Sequence, residues 1–294
     1  MASVAAVLWG VNGGVSKTIL ATGLSSERLA QVRSLGAALG LVAILAVTAP
    51  GRLRLTRREL PYIATFGIGG LAFVQWFYFL AIHRLAIGVA LLIEYLAPLL
   101  VALWARFAYH EHVRRRIWVA LAFALMGLGL IVNVFGGGTS LSTAGVMFAL
   151  GGAFAYALYV LLAEHVVGGR DPVSLLAWGF LFASAFWAVL APWWSFPFHT
   201  LAETTSLGGH LHAHHLPVWL LAVWMVAFGT IAPFFLLVSA LRHLSATTVG
   251  IVAMLEPVVG ALVGWAWLSE ALGGAQLAGA AVVLAAIGLA QTAR

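Results

Sequence analysis

The chain has 294 residues, of which 63% are hydrophobic and only 8% charged, whereas soluble domains carry about 25% charged residues. With a mean hydropathy of +1.04, no single aqueous core can hide the apolar excess, which excludes a soluble enzyme or a nucleic-acid binder and points to an integral membrane protein. The net charge of +6 does not reopen nucleic acid, because the basic residues sit in short clusters between long apolar runs, as topology signals do.

A spanning helix needs about 20 mostly apolar residues, and reading between polar breaks predicts ten of them. In chain order they cover 4–21, 29–49, 60–82, 85–108, 117–135, 144–163, 173–194, 217–241, 246–268 and 275–292. The first run lacks the basic flank and cleavage site of a signal peptide, so it is read as a retained span. The breaks carry turn and charge signals, among them Pro50-Gly51-Arg52, His110-Glu111-His112, Gly136-Gly137-Gly138 and Gly168-Gly169-Arg170-Asp171-Pro172. The runs are apolar throughout and do not alternate, which disfavours a β-barrel and favours an α-helical bundle. With the N-terminus inside, eleven basic residues fall on the cytoplasmic side and four (Lys17, Arg28, Arg33 and Arg84) outside, so both termini are expected in the cytoplasm.

The two halves of the chain resemble each other. LAIGVALLIEYLAPLLVALWARFAYHE, from Leu85 to Glu111, aligns with LSATTVGIVAMLEPVVGALVGWAWLSE, from Leu244 to Glu270. Pro98 meets Pro257, Glu111 meets Glu270, and Gly129-Leu130 meets Gly288-Leu289. Each segment closes a set of five predicted helices, and an odd number places the two sets in opposite orientations. Repeats over 1–138 and 139–294 are therefore expected. These paired motifs, with Leu8-Trp9-Gly10-Val11-Asn12 in the first helix, resemble the EamA domain of the drug/metabolite transporter superfamily over essentially the whole chain. The compact form is similar to the YddG-type bacterial amino-acid exporters. The resemblance implies an all-α membrane fold of ten helices in two inverted five-helix repeats in the inner membrane. It also implies a central cavity walled by helices 1–4 and 6–9, with helices 5 and 10 peripheral.

Glu94 and Glu256 are the acidic residues deep inside predicted spans. A charge there costs about 2.5–3.5 kcal/mol and must face a cavity or a partner. Each lies near a proline, Pro98 or Pro257, which removes a backbone donor and frees a carbonyl. Either carboxyl can bind an ammonium or carry a proton, or be satisfied in protonated form by a neighbouring helix. Trp9, Asn12, Gln75, Tyr78, Tyr95, Tyr159 and Trp178 complete the candidate substrate-binding set, since mid-span amides, Tyr and Trp keep a polar handle. Gln75 and Tyr78 lie three apart and share a helix face. The mid-span regions offer no Arg or Lys cluster for a bulky phosphate.

The loop 195–216 holds His199, His210, His212, His214 and His215. It lacks cysteine and reads as a solvated loop in preference to a metal site. Gly13-Gly14-Val15-Ser16-Lys17-Thr18 fails the order of a phosphate loop, and no serine-hydrolase or zinc-protease motif is present. No cofactor and no metal are expected. The expected partners are the lipid bilayer and a small-molecule substrate, and a monomer suffices. The reading is a secondary exporter of small metabolites, most of all aromatic and other neutral amino acids. The alternatives are export of drugs or nucleotide-related metabolites on the same scaffold, a passive channel or a membrane enzyme.

Overall fold

The computed structural model describes residues 1–85, 87–132, 142–167 and 169–292. The expected Gly136–Gly138 break, the repeat boundary at 138, Gly168 and Arg294 lie outside these residues. The helices in chain order are α1 (Ala2–Leu20), α2 (Ser26–Thr48), α3 (Leu60–Ile82), α4 (Val89–Phe107), α5 (Arg115–Ile131), α6 (Thr143–Val167), α7 (Pro172–Leu190), α8 (Val218–Ala240), α9 (Ala246–Ala266) and α10 (Gly274–Gln291). Among the described residues, eight are long and apolar enough to cross a membrane; α1 and α5 are not among the eight. The chain is an integral membrane protein of helical build.

Local chemistry sets the helix starts. The side chains of Ser25, Asp171 and Ser245 accept from the backbone N–H of Arg28, Ser174 and Thr248, satisfying donors that a first turn leaves open. Pro172 and Pro61 occupy first turns, where a missing N–H costs nothing. Four helices are irregular inside. α3 carries a π-helical stretch at Thr65–Ala72 and α8 one at Ala227–Ile231. α4 breaks between Glu94 and Ala97, just before Pro98, and α9 at Met254, just before Pro257. Two runs expected as continuous are thus interrupted where proline withdraws a backbone donor.

The ends of α4 and α9 share one backbone pattern. His110 and Ser269 both take positive φ, 56° and 60°. The Glu111 N–H donates to Ala105 O at 2.9 Å and the Glu270 N–H to Gly264 O at 2.9 Å. These are left-handed helix caps, and they fall at positions that the Pro98–Pro257 alignment makes equivalent.

The packing is paired. α1 lies against α8 and α9, α2 against α7, α3 against α6 and α7, and α4 against α6. α5 and α10 pack on each other, so closely that a Cβ on Gly127 would stand 2.7 Å from the Gly279 carbonyl oxygen, the use of small residues expected between membrane helices.

Short connections put the helix ends at two poles. One, the arginine end, gathers the α2–α3 connection, the α6–α7 junction and the α8–α9 turn. The other, the hairpin end, holds the strands β1 (Thr204–Ser206) and β2 (His215–Pro217), paired antiparallel with Thr205 opposite Leu216. That hairpin seats on α9: the His210 N–H donates to Trp267 O at 2.8 Å, and the Trp267 indole N–H to Leu207 O at 2.9 Å. Its histidines bond backbone carbonyls, His210 that of Ala266 and His212 that of Gly209.

Candidate substrate site

The interruptions in α4 and α9 bring two carboxylates into one interior cluster. The Tyr95 hydroxyl, buried beside the α4 break, donates to Glu256 Oε2 at 2.8 Å across to α9. Glu94 precedes Tyr95 and looks toward α6, where a Cβ on Gly152 would lie 3.8 Å from its Oε2. Glu94 and Glu256 act on each other electrostatically, and both act on Tyr78, Tyr95 and Tyr156. Both carboxylates are half-buried rather than sealed in the packing.

Aromatic rings line the next layer. Tyr156 and Tyr159, three apart on α6, stack at 6.0 Å and 9°. Phe234 of α8 meets Trp9 edge-on at 5.0 Å, Tyr159 at 5.7 Å and Phe180 at 5.3 Å. Edge-to-face geometry of this kind adds about 0.5–1.5 kcal/mol per pair beyond burial.

A polar corner joins α1, α2 and α8. Asn12, buried on α1, sits against Gly229, where any Cβ would collide with its amide oxygen. Pro233 lies four residues past Gly229 and brings no N–H for that carbonyl. Arg33 of α2 reaches it instead, with Nη2 at 3.5 Å, while its Nε donates to Thr230 Oγ1 at 3.2 Å. The Arg33 charge also acts on Glu256. The sequence offers no mid-span Arg or Lys cluster, and Arg33 is a single basic side chain that the packing turns toward this corner. Arg33 falls inside the apolar run 29–49 but counts equally well as an external topology charge, so only the packing of α2 on α8 reveals its direction.

The structure brings Trp9, Asn12, Tyr78, Glu94, Tyr95, Tyr159 and Glu256 into this interior region. Gln75 stands at its edge on α3, its amide N–H donating to Leu71 O at 3.3 Å. Trp178 is placed elsewhere: its indole N–H donates to Leu53 O at 3.1 Å at the arginine end, so its polar handle is already taken. The Asn12 Oδ1, Gln75 Oε1 and Tyr159 hydroxyl are buried with no hydrogen-bond partner among the described residues. Native proteins leave few such groups, and each calls for an explanation.

The family's sequence model decides the class, matching residues 1–133 and 143–292. The chain belongs to the EamA-like transporter family. Its members are transporters, and this chain is a membrane transporter rather than an enzyme. It is 26% identical over 264 residues to the threonine/homoserine exporter RhtA of Salmonella typhimurium strain SL1344, covering 90% of this chain and 82% of that protein. RhtA of Escherichia coli K12 is 26% identical over 255 residues, covering 87% and 79%. An uncharacterized transporter of Bacillus subtilis, YdfC, is 24% identical, covering 84% and 76%. A solved crystal structure superposes with a TM-score of 0.77 at 22% identity, over 99% of this chain and 95% of that one, which establishes the shared fold.

Proposed function

We propose that this transporter exports small neutral amino acids across a bacterial inner membrane by alternating access of two inverted five-helix repeats, 1–138 and 139–294. The observation that carries the reading is the joining of α4 to α9, one helix from each half, through Tyr95 and the half-buried carboxylates Glu94 and Glu256. A carboxylate pair inside an apolar bundle is a receptor for an ammonium group, and Arg33 on the opposite wall supplies the charge for a carboxylate. The aromatic layer of Trp9, Tyr156, Tyr159 and Phe234 offers apolar surface for a side chain. Trp9, Asn12, Gln75, Tyr78, Glu94, Tyr95, Tyr159 and Glu256 form the binding set, with Arg33 added and Trp178 left as a structural contact.

Several features support the repeat. The family's sequence model matches each half, the caps at His110 and Ser269 are alike, and irregular helices fall in corresponding places, α3 with α8 and α4 with α9. The four arginines of the α2–α3 connection, Arg52, Arg54, Arg57 and Arg58, and an even number of helices support both termini and the arginine end lying in the cytoplasm. The relatives named for threonine and homoserine argue for small polar amino acids, and the aromatic layer for larger ones.

Counterflow of labelled L-threonine, L-homoserine and L-phenylalanine in proteoliposomes tests the substrate class: saturable exchange of at least one is expected, and no flux of any defeats it. Glu94→Gln tests coupling. If Glu94 carries the proton, the variant loses the pH dependence of wild-type transport; an unchanged pH profile removes Glu94 from that role.

A further inference from the structure

An open cavity of about 470 Å³ lies at the hairpin end between the start of α2, the middle of α3 and the end of α7. Its volume falls in the range of small-molecule sites, about 300–1,000 Å³. Three features mark this open cleft. Glu27 lines it, half-buried, with no hydrogen bond or ion pair among the described residues. Arg28 lines it too, and every acceptor of its guanidinium is neutral. Nη1 donates to Gln31 Oε1 at 2.9 Å, Ala191 O at 2.9 Å and Pro192 O at 3.0 Å, and Nη2 to Ser195 Oγ at 2.6 Å and Ser195 O at 3.3 Å. The arginine is thereby held in place, its guanidinium 5.8 Å over the Phe196 ring, with no carboxylate acceptor among the described residues. The third feature is the half-buried Trp76 ring, with Trp187 behind the surface. Trp187 is fully buried, yet its indole N–H has no acceptor among the described residues.

We propose that this cavity is a second binding site for the zwitterionic head of a neutral amino acid, with Glu27 receiving the ammonium, Arg28 facing the carboxylate, and the Trp76 ring taking the side chain. A ligand bearing one sign of charge would pair with only one of these two side chains, whereas a zwitterion pairs with both and remains neutral. The Trp76 ring face favours an uncharged side chain. Trp76 adjoins Gln75 and lies two residues before Tyr78, so α3 passes directly from this cavity to the central cluster. The inference rests on the amino-acid reading above and gives the exporter a staging site at the hairpin end. An ethanolamine lipid headgroup shares the ammonium-plus-anion chemistry, and the test separates the two sources.

The chain has no cysteine, so one introduced on the cavity rim is a unique reporter. Leu190 lines the cavity and is 45% exposed. Leu190→Cys in the purified full-length protein is labelled with a hydrophilic maleimide in detergent, with and without L-threonine or L-phenylalanine. Ser25→Cys, on the opposite rim, serves if the first variant does not fold. The amino acids should slow labelling, whereas N-acetyl-L-phenylalanine, which lacks the ammonium, and L-phenylalaninamide, which lacks the carboxylate, should not. Adding Glu27→Gln should raise the half-protecting concentration about tenfold, the loss of one charge-assisted contact, with the unprotected labelling rate unchanged. Equal protection with and without Glu27→Gln, or by the N-acetyl derivative, overturns the site. So does protection by phosphatidylethanolamine nanodiscs but not by amino acids. Counterflow by wild type without rim protection overturns this site and leaves the export reading standing. Protection without counterflow does the reverse, and absence of both overturns the two together.

Discussion

The two ends of the molecule are tied across the halves by different means. At the arginine end, Arg170 is nearly buried, its side chain 10% exposed, and its Nη1 donates to Glu59 Oε1 at 2.6 Å. The same guanidinium donates to Ser174 Oγ at 3.1 Å and to the carbonyls of Arg54 at 3.1 Å and Arg52 at 3.4 Å. Arg52 in turn pairs with Asp171 at 3.1 Å. At the hairpin end, Lys17 pairs with Glu270, but the two side chains are 63% and 50% exposed. The left-handed cap that presents Glu270 is repeated at Glu111, on the opposite pole, where no ion pair forms among the described residues. Equivalent backbones therefore carry different contacts. A multidentate, desolvated arginine resists separation, whereas an exposed lysine pair contributes about 0–1 kcal/mol. Of the two closures, the one at the arginine end is the stronger.

Breaking the stronger closure should have the largest effect. Arg170→Gln breaks the ion pair with Glu59 and three further guanidinium hydrogen bonds, although Glu59 keeps its Thr56 bonds and Arg52 O its Ser174 bond, and should cost about 2 kcal/mol after allowance for the partial exposure of Glu59. Thermal unfolding in detergent reads this as the largest Tm drop of the set; a drop no greater than that of a Lys17 variant would erase the contrast between the ends.

Acid should weaken the same closure with a defined sign. The Glu59 carboxyl is held down to about 2, from an ordinary value of 4.5, by the Thr56 backbone N–H, then by the Thr56 hydroxyl and Arg170. Its folded pKa lies below its unfolded one, so its stabilisation is complete above about 4.5 and is lost as pH falls through about 2. The Tm gap between wild type and Glu59→Gln should be constant near neutrality and close over that window. A gap that persists at the acid limit contradicts this origin.

The interior provides an intermediate standard. Tyr95→Phe removes one neutral donor to Glu256 and should cost about 1 kcal/mol, most of it absent in a Glu256→Gln background, as a double-mutant cycle on Tm reports. Additive effects would mean the contact contributes nothing. Smallest of all, Lys17→Met should shift Tm by the equivalent of about 0.5 kcal/mol or less, and the shift should shrink further in high salt. A salt-insensitive loss would place the Lys17 pair in the same class as the arginine closure.

How much of this was legible before packing differs from residue to residue. Pro98 and Pro257 were legible as places where a backbone donor is withdrawn, but that α4 and α9 break there was seen only in the structure. Glu94 and Glu256 were legible as interior groups by their cost in an apolar run. Arg33 was not, because its position near a helix start fits a surface charge as readily as an inward one. Trp178 shows the converse: an indole inside an apolar run looks available until the Leu53 carbonyl is found beside it. The Arg28–Ser195 contact joins residues 167 apart in sequence, with no local signal at either end.

The scarcity of charge in this chain determined by itself that it lives in a membrane, where the helices run, and which few ionisable side chains must be buried, since each follows from transfer cost and local hydrogen bonding. The tertiary structure alone decided which of them meet. Side-chain direction around a helix acquires meaning only once crossing angles and close contacts set which faces look at each other. That is why Tyr95 finds Glu256, Arg33 finds the carbonyl that Pro233 leaves free, and Glu27 and Arg28 face one cavity.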